Sequence, residues 1–277
     1  MMLSLLMMLL STSVNAAELN PPNGLAKAIA LLENTAIGKV AMQEARDKKL
    51  SIIEGKISKT EIVATRVLKE NEEKLDFNVQ VLISREKSPV FQAIDLAHEL
   101  VHALHPKSNP FDPKLNAVDY IRAGIEAEGG EAQAITQECK VGQELLNQVD
   151  PEPAQLIKAR CQYVWKTEKT PDQWKLSFYH LGKHFALFHS KLNSINVDKD
   201  KNTEISKMVK AKDPLFTSAA ANKPYPLALL DEYVEITQKI CSKSQQRNVA
   251  SVGVTEEVVT TPMDERCQSL SSALFSH

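Results

Sequence analysis

Residues 77–106 read FNVQVLISREKSPVFQAIDLAHELVHALHP, and this stretch decides the fold. Phe77-Asn78-Val79-Gln80-Val81-Leu82-Ile83 alternates over its first five residues and is rich in β-branched types, which predicts a strand. Ser88-Pro89 then opens a helix, with proline where its missing N–H costs nothing, and Pro106 stops it. Between them Val90, Ile94, Ala97, Val101 and Leu104 recur at helical spacing and form the inward face. His98 and His102, four apart, stand one above the other on the adjoining face, with Glu99 beside them and His105 further along. Two imidazoles so placed can reach one cation.

A strand leading into a helix, in a chain otherwise dominated by helical patterns, predicts an α+β fold that is mostly helical, its small sheet packed on the helix of residues 89–105. Upstream, Leu25 to Leu50 reads as one helix and Lys59 to Lys74 as a second, so residues 17–76 form an N-terminal helical region. Downstream, Pro106, Pro110 and Pro113 mark a turn-rich connection, followed by a helical segment from Ala117 to Asn147. Gly129-Gly130 weakens that segment and marks close backbone approach or a local irregularity, beside Glu126, Glu128 and Glu131. Thr170-Pro171 begins a helix to Leu192 whose Trp174, Phe178, Leu181, Phe185 and Phe188 make a core face. Residues 193–214, rich in Lys and Asp, read as a surface crossing, Leu227–Cys241 as a last helix, and 242–277 as an irregular tail tethered through Cys267.

The chain has 277 residues, 43% hydrophobic and 25% charged, enough apolar material for one large domain or two packed lobes. A net charge of −2, without a dense basic run, points away from a nucleic-acid partner. Met1 to Leu10 is almost wholly apolar and leads to Val14-Asn15-Ala16, the pattern of a signal peptide over 1–16 cleaved near Ala16. The expected location is secreted or periplasmic, with no stable membrane span, because the apolar run is too short. Cys139, Cys161, Cys241 and Cys267 then suit disulfides, and the sequential pairing Cys139–Cys161 and Cys241–Cys267 closes modest loops. Four buried thiols are the alternative.

Two neutral imidazoles plus one carboxylate make a three-ligand site that leaves a position for water, the usual catalytic zinc arrangement. Glu99, next to the first histidine, falls near the metal without being a ligand and is placed to act as general base. With seven histidines in 277 residues, His-Glu-x-x-His arises by chance in about 1% of such chains. A hydrogen-bonded pair of surface histidines is the bland alternative.

His98-Glu99-Leu100-Val101-His102 resembles the zincin superfamily of metallopeptidases, and a later glutamate-bearing helix looks like its gluzincin branch. The resemblance covers residues 77 to 138 and implies a catalytic region over 77–241 that binds Zn2+ and cleaves a peptide or protein substrate, as an endopeptidase rather than an exopeptidase. It favours Glu131, first residue of Glu131-Ala132-Gln133-Ala134-Ile135, as third ligand, with Glu128 the alternative and Glu126 a weaker one. The family pattern has an acid where Ile135 stands, to hold a metal histidine. The longer metzincin pattern is absent, since His105 and Ser108 replace its glycine and last histidine. Gluzincins also bring a His or Tyr from a C-terminal helical region to the oxyanion, a role open here to Tyr179, His180 or His184. Competing functions are a non-catalytic, peptidase-like binding protein and a helical secreted interaction module.

Overall fold

The computed structural model describes residues 24–69, 72–105, 112, 114–167, 171–195, 198–218, 221–250 and Cys267. The leader expected at 1–16 lies outside them. The first described elements are two helices, α1 (Gly24–Glu33) and α2 (Ala36–Asp47), where one continuous helix was expected. Thr35 makes the break: its hydroxyl donates to Leu32 O (2.7 Å) and accepts from Gly38 N–H (3.0 Å), ending one helix and capping the next.

The helix expected at 59–74 is wrong, and with it the wholly helical character of residues 17–76. Strands β1 (Ser51–Gly55), β2 (Lys59–Lys69) and β3 (Glu72–Ser84) form a sheet in the order β1-β3-β2. Thr60, Ile62, Val63, Thr65 and Val67 carry strong strand propensity, and antiparallel pairing from Lys59↔Leu82 to Lys69↔Glu72 overrides the helix-favouring Glu and Lys. The strand read at 77–83 is correct but is the sheet's middle, paired in parallel with β1 on its other side.

Helix α3 (Pro89–Leu104) carries the two histidines and packs Ile94, Ala97, Leu100 and Leu104 into a core shared with α1, α2 and β3. Next come α4 (Ala117–Glu126) and α5 (Glu131–Leu145), separated where Gly129-Gly130 signalled an irregularity. Helix α6 (Pro151–Thr167), absent from the sequence expectations, buries Ile157, Cys161 and Val164 at helical spacing. Helix α5 spans two cores, with Ile135 and Cys139 in one formed with α6 and later helices, and Val141 and Leu145 in that of α3.

The helix expected over 170–192 is interrupted. It comprises α7 (Pro171–Leu176), two short 3-10 turns and α8 (Phe185–Ile195). Leu181 and Gly182 N–H groups leave the helical ladder and donate to Lys210 O (2.9 Å) and Lys212 O (2.7 Å). Trp174, Phe178, Leu181 and Phe188 are buried core, as expected. The surface crossing contains a helix, α9 (Lys199–Met208), capped by Asp198 and anchored by buried Ile205. A two-stranded ribbon, β4 (Thr217–Ser218) with β5 (Lys223–Pro224), leads into α10 (Tyr225–Ala250), which continues past Cys241 into the region read as tail. Disulfides join Cys139 to Cys161 and Cys241 to Cys267, the sequential pairing. The fold is predominantly helical, with its small sheet against the motif helix. Among the described residues no helix is long and apolar enough to cross a membrane.

Candidate metal centre

Helix α3 projects His98 and His102 toward the start of α5, and their Nε2 atoms lie 3.2 Å apart. Glu131, the first residue of α5, places Oε2 3.3 Å from His98 Nε2 and Oε1 3.4 Å from His102 Nε2. The three residues thus form a cluster able to hold a metal ion, in a gluzincin-like arrangement. Glu128 is outside this cluster: its side chain is 75% exposed and pairs with His105 Nδ1 at 3.1 Å. Glu126 accepts from the Tyr179 hydroxyl and faces Arg122.

The outer nitrogens are also fixed. His98 Nδ1 lies 3.0 Å from Glu138 Oε2, and His102 Nδ1 lies 2.7 Å from Gly129 O. Both partners accept, so each Nδ1 carries a proton and each Nε2 faces inward, where it can bind a cation once it gives up any proton of its own. Two ring nitrogens and a carboxylate then face one another, an arrangement that positive charge stabilises. Burial opposes a charged His98, yet Glu131 and Glu138 outweigh it and hold its pKa well above the usual histidine range. Burial likewise opposes an ionised Glu131, but His102 and His98 hold its carboxyl well below the usual range.

The glycines make this geometry accessible. Gly129 has φ +78°, and a Cβ there would stand 2.0 Å from His105 O, so only glycine lets the backbone approach α3 and offer its carbonyl to His102. Gly130 then caps α5 directly before Glu131.

Glu99 is buried and shares with His98 the wall of a cavity of about 900 Å³. Thr60 of edge strand β2 places its hydroxyl oxygen 2.8 Å from Glu99 Oε2 and 2.9 Å from its backbone oxygen. Tyr225, at the start of α10, lines the same cavity, its phenol close to the Glu131 carboxylate. Its ring is set by Phe178, 5.6 Å away between centroids. Burial, reinforced by the Glu131 and Glu138 charges, pushes its phenol well above the usual range.

The expected oxyanion residues do not line this cavity. Tyr179 is buried against Glu126, His180 bridges to Lys210, and His184 lies in a 3-10 turn. Sequence reasoning missed Tyr225, two residues before the helix read from Leu227. It also missed Glu138, seven residues after Glu131 and thus two turns along the same face, which takes the place expected at Ile135. That spacing was the available signal. Comparison with protein-family models, curated proteins and solved structures found no match to this chain.

Proposed function

We propose that the chain is an exported zinc metallopeptidase that hydrolyses peptide bonds. The observation that carries this reading is the cluster of His98, His102 and Glu131, with His98 on the wall of a cavity that also holds the buried Glu99. Zinc held by these three residues supplies Lewis acidity, polarising a carbonyl and lowering the pKa of water to about 7.

The chain's own residues do the rest. Glu99 takes the proton of the attacking water and returns it to the leaving amine, Thr60 holding its carboxylate in place. Tyr225 stays protonated and donates its hydroxyl to the carbonyl oxygen as that atom gains charge. An extended substrate adds to the outer edge of β2, which begins beside Glu99. Pairing on both sides of the scissile bond favours an endopeptidase. The apolar leader and the two disulfides support export.

Wild-type and Glu99→Gln proteins test this. The variant should retain zinc and lose about 10²–10⁴-fold in turnover of a mixed peptide library. Equal cleavage by both proteins would sink the assignment.

A further inference from the structure

A chain of polar contacts runs outward from His98 to α6. Glu138 accepts from His98 Nδ1 through Oε2 (3.0 Å), and its Oε1 faces Arg160 Nε in a close ion pair. Glu138 is only 2% exposed, so its charge needs a partner on each oxygen. Arg160 also turns Nη1 toward buried Asp95, at 3.7 Å, one turn before His98 on α3. One guanidinium thus stands between carboxylates from two different helices.

The positions of the cysteines matter here. Cys139 directly follows Glu138, and Cys161 directly follows Arg160. Their disulfide holds α5 and α6 with Cα atoms 5.3 Å apart, one residue from the ion pair on each side. Trp165 adds a hydrogen bond from Nε1 to Cys139 O at 3.1 Å. An arginine that is 42% exposed would ordinarily lose rotamer freedom in order to stay paired. The covalent link removes the relative motion of the two helices and leaves only the side chain to order.

We infer that Arg160, locked by the Cys139–Cys161 disulfide, is a positioning residue: it fixes the Glu138 carboxylate so that His98 presents Nε2 to the metal. It acts through Glu138 and touches neither metal nor substrate. This rests on the zinc site proposed above. Outer partners of metal histidines change metal affinity by about 10–100-fold when removed, which sets the expected effect.

The test compares zinc release to an excess of a coloured chelator with thermal unfolding, in the full-length protein. Arg160→Met and the double variant Cys139→Ala/Cys161→Ala should release zinc at least about 10-fold faster. Arg160→Lys, which keeps the charge, should recover part of the loss. Cys241→Ala/Cys267→Ala is the control: its loop of 26 residues is close to the 22 of the first bridge, so its effect on the unfolded chain is similar, and it should release zinc at the wild-type rate. The inference is overturned if Arg160→Met releases zinc at the wild-type rate. It is also overturned if release tracks the melting temperature across all variants, the control included, which is what a merely structural role gives. A wild-type protein that retains no zinc defeats the metal reading itself, and the role of Arg160 with it.

Discussion

Replacing Tyr225 with phenylalanine removes one oxygen from the candidate site and leaves the ring. Tyr225 is 9% exposed and its ring rests against Phe178, so Tyr225→Phe should keep its packing and cost no more than about 1 kcal/mol. Loss of one oxyanion donor costs about 10²–10³-fold in kcat. The lower end applies, because the phenol also interacts with the nearby Glu131 carboxylate, so part of its gain on the substrate oxygen replaces that interaction. We expect kcat to fall about 100-fold, with KM within about threefold, since the donor acts on charge that develops only in the transition state. Steady-state hydrolysis of a fluorogenic peptide, with zinc content measured on the same samples, reads both quantities. A kcat within about threefold of wild type at full zinc content would refute the role, as would a loss carried wholly by KM.

Three further outcomes are expected. Glu131→Gln should lose zinc on dialysis, whereas Glu128→Gln, whose side chain is exposed, should retain it; the reverse pattern would reassign the third ligand. Gly129→Ala places a residue at φ +78° with its Cβ on the His105 carbonyl. It should destabilise by at least about 2 kcal/mol in urea unfolding and speed zinc release, because the carbonyl that orients His102 must move. Burial first, and the bond to Glu126 second, raise the Tyr179 phenol above its ordinary value of 10.0, so the folded state holds this proton more tightly than the unfolded chain. Its contribution to stability is complete below pH 10 and falls as pH rises beyond, and Tyr179→Phe should lose less stability than wild type between pH 9 and about pH 11. Parallel curves for the two proteins would exclude that contribution.

Local pattern accounts for the parts of the site that were legible. The strand at 77–83, the helix bounded by Ser88-Pro89 and Pro106, and the histidines four apart on one face all follow from periods of two and 3.6 residues. The errors have physical causes too. Residues 59–74 mix β-branched residues with Glu and Lys, and pairing with β3, which no local window contains, makes β2 and the start of β3 strands. The helix expected at 170–192 breaks because residues 181 and 182 give their N–H groups to residues 210 and 212, far along the chain.

The sequence by itself determined the two histidines of the cluster, the neighbouring glutamate and the mostly helical class, and it favoured the sequential pairing of the cysteines. Each depends on residues close together in the chain, or on loop length alone. Only the tertiary structure decided between Glu131 and Glu128, because three residues of sequence separate a side chain in the cluster from one turned to solvent. It also brought Thr60, Glu138, Arg160 and Tyr225 to His98, Glu99 and Glu131 from four different elements. Apart from the seven-residue step from Glu131 to Glu138, no sequence spacing encodes those approaches; they are fixed by how β2, α5, α6 and α10 pack around α3.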